Sequence, residues 1–185
     1  MLTGQTSLQA PQSDEAFGRS ASSENFSPAT ILSQATPEQD SSTSRRVTVS
    51  TVGLVSGIER LAREDLRVRL AISLHATTDE VRDRLMPVNK GFDLKALLDA
   101  CRRFPLPMRQ RMTFEYVLLD GVNDTPDDAR RLVRLLHGIR AKINLIPFNA
   151  WDGAAFERPP LQRILAFQAR LLEHGITATV RWSKG

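Results

Sequence analysis

From residue 46 to residue 182 the chain alternates short strand-like segments with amphipathic helical ones, and few folds accept that alternation. Residues 46–51 alternate apolar and polar side chains of β-branched type. They predict a strand with Thr48 and Ser50 on one face and Val47, Val49 and Thr51 on the other. Gly53 permits a tight turn, and Leu54, Ile58 and Leu61 recur near helical spacing over 54–63. Asp65 and Arg67 fall in the next turn. Further strands are expected over 69–75, 110–120, 142–147 and 177–182. Helices are expected from Thr77 or Thr78 to the residue before Pro87, and over 93–103, 127–137 and 160–174. Thr125 and Pro126 suit a helix start, and Gly138 and Gly175 suit helix stops. Such regular alternation argues for an α/β fold of parallel strands with right-handed helical crossovers. Five strands are too few to close an eight-stranded barrel. They suit part of an open barrel or a small doubly wound sheet. No glycine-rich phosphate fingerprint is present, which weakens the nucleotide-binding form of the second architecture.

The strand over 69–75 has two unlike faces. Leu70, Ile72 and Leu74 fall on one side, and Ala71, Ser73 and His75 on the other. A purely structural strand in a parallel sheet is apolar on both faces, whereas ligands sit at the C-terminal strand ends. Ser73 and His75 thus read either as the floor of a ligand cavity or as polar groups bonded into the helix cap that follows. Glu115 shares a strand face with Thr113, opposite Met112, Phe114 and Tyr116. It needs either an arginine on a neighbouring strand or a polar cavity. Asn149 follows a strand directly and reads as a turn residue or a ligand-binding one. Cys101 lies on an apolar stripe with Leu94, Leu97 and Leu98, which favours a buried core thiol. Leu161, Ile164, Leu165, Phe167 and Leu171 are expected to point mostly inward, and His137 to lie on the surface.

Charge divides the chain. Residues 1–44 hold one basic and five acidic residues, are rich in Ser, Thr, Gln, Ala and Pro, and show no periodicity. They are expected to form a disordered tail. The remaining residues hold 24 basic and 16 acidic side chains, net +8, which is compatible with a polyanion such as RNA. Arginine pairs at 45–46, 102–103 and 130–131 permit such contact, and solvated surface explains them equally well. A single cysteine forms no internal disulfide and no cysteine-based metal site. With no secretory pattern at the N-terminus, a reducing, cytoplasmic setting is expected.

Several blocks occur together, in order, over about 140 residues: 45–51 (RRVTVST), 73–76 (SLHA) with 79–87 (DEVRDRLMP), 113–117 (TFEYV), 121–124 (GVND) and 144–149 (NLIPFN). On these blocks the chain closely resembles the radical-SAM RNA methyltransferases of the RlmN/Cfr family, nearer to RlmN. Residues 1–44 carry no resemblance. The resemblance implies the C-terminal half of a partial (β/α) barrel over 45–185. It implies methylation of carbon 2 of an adenine in large-subunit ribosomal RNA, with some members acting on tRNA. It also implies S-adenosylmethionine (S-adenosyl-L-methionine, SAM) across the C-terminal strand ends beside a 4Fe-4S cluster. The positions matching the family's SAM contacts are Ser50, Ser73, Leu74, His75 and Asn149, with Leu74 contributing backbone groups. This decides for the ligand-floor reading of Ser73 and His75.

The departures from the family pattern carry equal weight. The family's CxxxCxxC motif, its two catalytic cysteines, its upstream Gly-Glu SAM pair and its N-terminal RNA-binding portion are not found. Cys101 matches no cluster ligand, and a cluster needs thiolates. Val52 stands where the family usually has Ser, and Ala150 where it usually has Pro. The chain is therefore expected to be inactive alone. Three readings stand: an enzyme segment from a truncated or split gene whose missing part, such as a separate chain supplying the other half-barrel, carries the cluster; a non-catalytic SAM- or RNA-binding module; and a decayed fragment.

Overall fold

Five parallel strands lie side by side in chain order: β1 (Thr48–Thr51), β2 (Arg69–Ser73), β3 (Met112–Leu118), β4 (Ala141–Pro147) and β5 (Thr177–Val180). The structure, a computed structural model, describes residues 47–64 and 68–182. The expected tail over 1–44, Arg45 and Arg46, and the turn residues Asp65 and Arg67 lie outside the described residues. Strand order decides between the two architectures left open by the sequence. A doubly wound sheet reverses its order at a switch point. This sheet never reverses, so it is wound in one direction, as a segment of a (β/α) barrel is.

Between the strands run α1 (Val55–Arg63), α2 (Asp79–Leu85), α3 (Leu94–Arg103), α4 (Pro126–Leu135) and α5 (Leu161–Glu173). Local chemistry sets their ends. Thr78 caps α2 by accepting from the Val81 N–H at 3.4 Å, and Asp93 caps α3 by accepting from the Ala96 N–H at 2.7 Å. Thr125 and Asp128 form a reciprocal capping box around Pro126 at the start of α4. A 3₁₀ turn over Pro87–Lys90, not expected from the sequence, joins α2 to α3.

The helices cover one face of the sheet. Leu70, Ile72, Leu74, Met112, Phe114, Tyr116, Ile143 and Leu145 pack there against Ile58, Leu97, Leu98, Leu132, Ile164, Phe167 and Leu171. Each such buried side chain contributes about 1.5–3 kcal/mol. Cys101 belongs to this core, and burial pushes its thiol up to about 12. One expectation is corrected in α5. Ile164, Phe167 and Leu171 point inward, but Leu161 and Leu165 are exposed. Positions 164, 167 and 171 share one helical stripe, and 161 and 165 fall beside it. No described helix is long and apolar enough to cross a membrane.

The fully buried Arg82 ties the strand ends to the helices. Its Nε donates to Leu74 O at 3.2 Å, Nη1 to Asn89 Oδ1 at 2.8 Å, and Nη2 to Val52 O at 2.9 Å and Ser73 O at 3.3 Å. Asn89 in turn donates to Asp79 at 3.0 Å and Asp83 at 2.7 Å, so two carboxylates stand behind the guanidinium. Gly53 makes room for it. Its φ of +102° suits glycine, and a Cβ there would lie 2.8 Å from Arg82 Nη2. Replacing Arg82 with Met keeps the bulk but leaves carbonyls and carboxylates unanswered. We expect a loss of about 3–5 kcal/mol, read as a lower urea midpoint at unchanged slope. A loss below about 1 kcal/mol would show that the network is dispensable.

Candidate functional site

The face of the sheet away from the helices is polar. Strand register places Ser50, Ala71, Thr113, Lys142 and Thr177 in one row across it, and Ser73, Glu115, Asn144 and Thr179 in the next row toward the C-terminal ends. In a barrel this is the inner surface, where ligands reach the strand ends. Ser50, Lys142, Thr177 and Thr179 are exposed, while Ser73, Glu115 and Asn144 are half-buried.

Glu115 takes neither an arginine nor water-facing freedom. Its Oε1 accepts from Asn144 Nδ2 at 2.9 Å, and its Oε2 is buried with no hydrogen-bond partner. Of the two alternatives the sequence left open, the arginine partner is not found, and an amide stands in its place because the neighbouring position in register is Asn144. A buried carboxylate oxygen without a donor costs free energy until something donates to it.

At the end of β2 the chain turns sharply. Ala76 N–H donates to Leu74 O at 2.8 Å, across a γ-turn centred on His75, whose φ is 59°. Positive φ at a non-glycine residue in such a turn is strained and persists only when its surroundings hold it. The holder is Asn123, fully buried in the 121–124 loop. Its Nδ2 donates to His75 O and to Val117 O, both at 2.7 Å, and its Oδ1 accepts from Leu119 N–H at 2.8 Å. Gly121, at φ 65°, lets that loop turn back, and Tyr116 Oη donates to Asn123 O at 2.8 Å. Beside it, Thr77 donates to Asp128 at 2.6 Å and accepts from Arg131 Nε at 3.0 Å. Burial alone would raise Asp128, but hydrogen bonds from Thr125, Thr77 and Arg131 hold it below the usual carboxylate range.

The turn fixes the His75 ring. Val117 N–H donates to Nδ1 at 3.2 Å, so the neutral ring carries its proton on Nε2 and offers a donor there. Burial, then the Arg82 charge, lowers the His75 pKa to about 4, opposed only in part by the Glu115 backbone carbonyl. The imidazole is therefore neutral at pH 7.

The structure places the five sequence-derived candidates unequally. Ser73, Leu74 and His75 sit together at the end of β2, with Ser50 one row behind on β1 and Asn149 exposed just past β4. Leu74 differs from the other four. Its side chain is fully buried, its N–H donates to Glu115 O at 3.0 Å, and its C=O accepts from both Ala76 and Arg82. The sequence left Glu115 undecided and read 121–124 only as a loop. Asn123 had no signal beyond its place in that block, since one of the two carbonyls it serves, His75 O, lies 48 positions away. The arginine pairs are largely committed: Arg102 to Asp99 at 2.8 Å, Arg103 to Glu59 at 2.8 Å, Arg131 to Asp128 at 2.6 Å, and Arg130 to Asp127. Arg45 and Arg46 are outside the described residues.

Hydroxyl, imidazole N–H, amide and carboxylate groups suit a polar cofactor such as S-adenosylmethionine. A 4Fe-4S cluster does not fit the residues present. Cys101 is the one cysteine and is buried on the inner face of α3, and no group of three His, Cys, Asp or Glu side chains placed to hold a metal ion is found among the described residues.

No family model matches the sequence. Relatives do match. The chain is 56% identical over 141 residues to a dual-specificity RNA methyltransferase RlmN of Syntrophobacter fumaroxidans, covering 76% of this chain and 41% of the relative. It is 58% identical over 141 residues to that of Geobacter sulfurreducens, covering 76% and 39%. The chain thus spans about two fifths of the length of the curated relatives it matches. A crystal structure of a radical SAM methyltransferase from Sphaerobacter thermophilus superposes with a TM-score of 0.71 at 50% identity, over 76% of this chain and 41% of that one. A domain of a pyruvate-formate lyase-activating enzyme from Bacteroides vulgatus shares the fold, with a TM-score of 0.58 at 17% identity over 75% and 82%. Over its 141 matched residues the chain is thus RlmN-like, similar to a C-terminal segment of radical-SAM RNA methyltransferases.

Proposed function

We propose that residues 45–185 form the cofactor-binding half-barrel of an S-adenosylmethionine-dependent methyltransferase acting on carbon 2 of an adenine in ribosomal RNA and transfer RNA. The observation that carries this reading is the ledge at the end of β2 and β3. A strained turn presents Ser73 and a neutral His75, and the buried Glu115 Oε2 beside them has no partner. The Ser50 and Ser73 hydroxyls, His75 Nε2–H and the Asn149 amide hold the cofactor. Glu115 accepts from a hydroxyl or the ammonium of the same molecule. Leu74 positions Ser73 and His75 through its buried side chain and committed backbone groups. The cofactor, when bound, supplies the methyl group.

No step through an iron-sulfur cluster is assigned to these residues. In this reading the cluster thiolates and the family's two catalytic cysteines come from polypeptide other than these 185 residues, such as a separate chain completing the barrel. The 185 residues alone transfer no methyl group. The net +8 of residues 45–185 supports an RNA substrate, and in this reading the protein acts in the cytoplasm.

Two outcomes test the reading. Purified chain should bind S-adenosylmethionine in calorimetry while holding no iron. Ser73→Ala or Glu115→Gln should weaken that binding by about 2- to 10-fold each. A brown sample with bound iron, or affinity untouched by both substitutions, would contradict it. The pH dependence follows from His75. Its folded pKa lies below the ordinary 6.5, so its contribution to stability is fully present above about pH 6.5 and is lost as pH falls through about 4. Cofactor affinity should therefore hold from pH 8 to about pH 5 and fall as pH drops through about 4. His75→Gln should remove that acid limb, and an acid limb that survives the substitution would assign it to another group.

A further inference from the structure

We infer that the opposite end of the sheet carries a second binding site, for a phosphate-bearing ligand, in a cavity between the loops that precede β3, β4 and β5. The cavity has a volume of about 490 Å³, within the range that holds a nucleotide-sized molecule. Arg109, Arg111 and Arg140 line it, with Met108 and Ile176 supplying apolar wall, and no carboxylate is among its lining residues. It lies at the N-terminal ends of β3, β4 and β5, whereas Ser73 and His75 stand at the C-terminal end of β2 and Asn149 just past that of β4. A seven-residue strand such as β3 separates the two ends by about 20 Å.

Charge singles this cavity out. The arginines of α3 and α4 are spent on nearby carboxylates. The three cavity arginines enter no ion pair among the described residues. Arg140 donates to the carbonyls of Pro107 at 3.0 Å and of Met108 and Leu106, which shapes the loop without neutralising the guanidinium. Arg111 donates to Thr177 Oγ1. Arg109 is exposed and has no hydrogen-bond partner among the described residues.

Three like charges around one cavity repel each other and are relieved by an anion. Guanidinium groups match phosphate oxygens in pairs. Gln110 adds a second sign of an absent partner. Its amide oxygen is buried beside the cavity and has no hydrogen-bond partner. The alternative, that these arginines only answer nearby backbone carbonyls, accounts for Arg140 and leaves Arg109 and Gln110 unexplained.

The test is calorimetric titration of the chain with tripolyphosphate, AMP and a short oligouridylate, at low and moderate salt. Arg109→Gln/Arg111→Gln is compared with Arg60→Gln/Arg134→Gln, which removes the same charge from exposed helix positions. Arg109→Gln alone guards against a folding defect, because that side chain is exposed and makes no hydrogen bond or ion pair among the described residues. We expect one-to-one saturable binding of a phosphate probe, weakened about tenfold or more by the cavity pair and unchanged by the control pair. Oligouridylate binding more tightly than AMP would identify an RNA backbone as the source of the phosphate, and the reverse order a free nucleotide. Equal losses in both pairs, or saturable binding of none of the three probes, would overturn the site. S-adenosylmethionine affinity should be the same in all variants, so this test can fail while the cofactor site stands, and the converse.

Discussion

One buried cation organises the top of this sheet. Arg82 leaves water entirely, which is costly for a charge. It is tolerated because four acceptors converge on it and Asp79 and Asp83 stand behind Asn89. The result is a joint between the end of β1, the end of β2, and the 3₁₀ turn after α2. The planar fork of guanidinium donors spans those positions at once. Through Ser73 O and Leu74 O the joint also fixes the residues on which the candidate cofactor ledge is built.

The sheet separates stability from chemistry by parity. Even-numbered positions of β2 and β3 pack under the helices, and odd-numbered positions from Ala71 to Glu115 face the polar side. Changing the ledge therefore need not disturb the core, except at the strand ends. There Asn123 serves both purposes, since it closes the β3 loop and holds His75 in left-handed backbone geometry. The neutral imidazole follows from the same packing, because burial and the nearby guanidinium both disfavour a second proton.

Much of this was legible from residue patterns. Period-two alternation over 46–51 and 110–120, Thr125-Pro126 at a helix start, and the Leu94, Leu97, Leu98, Cys101 stripe each correspond to observed elements. The two-faced character of 69–75 marked Ser73 and His75 as unusual but left ligand floor and helix cap open, and only the family resemblance chose between them. What pattern could not supply was partnership across long sequence separations. Arg82 looks like an ordinary residue of a charged helix until Val52, Ser73 and Leu74 are brought to it. Asn123 looks like a turn residue until His75 arrives 48 positions away. Glu115 was recognised as costly, but its partner is an amide, because strand register and not charge chose its neighbour. In α5, hydrophobicity overstated the inward face, since Leu161 and Leu165 lie off the Ile164, Phe167, Leu171 stripe.

The central claim is that packing at the β2 end presents a neutral, singly oriented imidazole to a bound cofactor. The most direct measurement is a long-range ¹H–¹⁵N spectrum of the three histidines across pH, with and without S-adenosylmethionine. The account expects His75 to show the Nε2–H tautomer at pH 7, to protonate only near pH 4, and to shift on cofactor addition. A His75 that titrates near 6.5, or that ignores the cofactor, would contradict it.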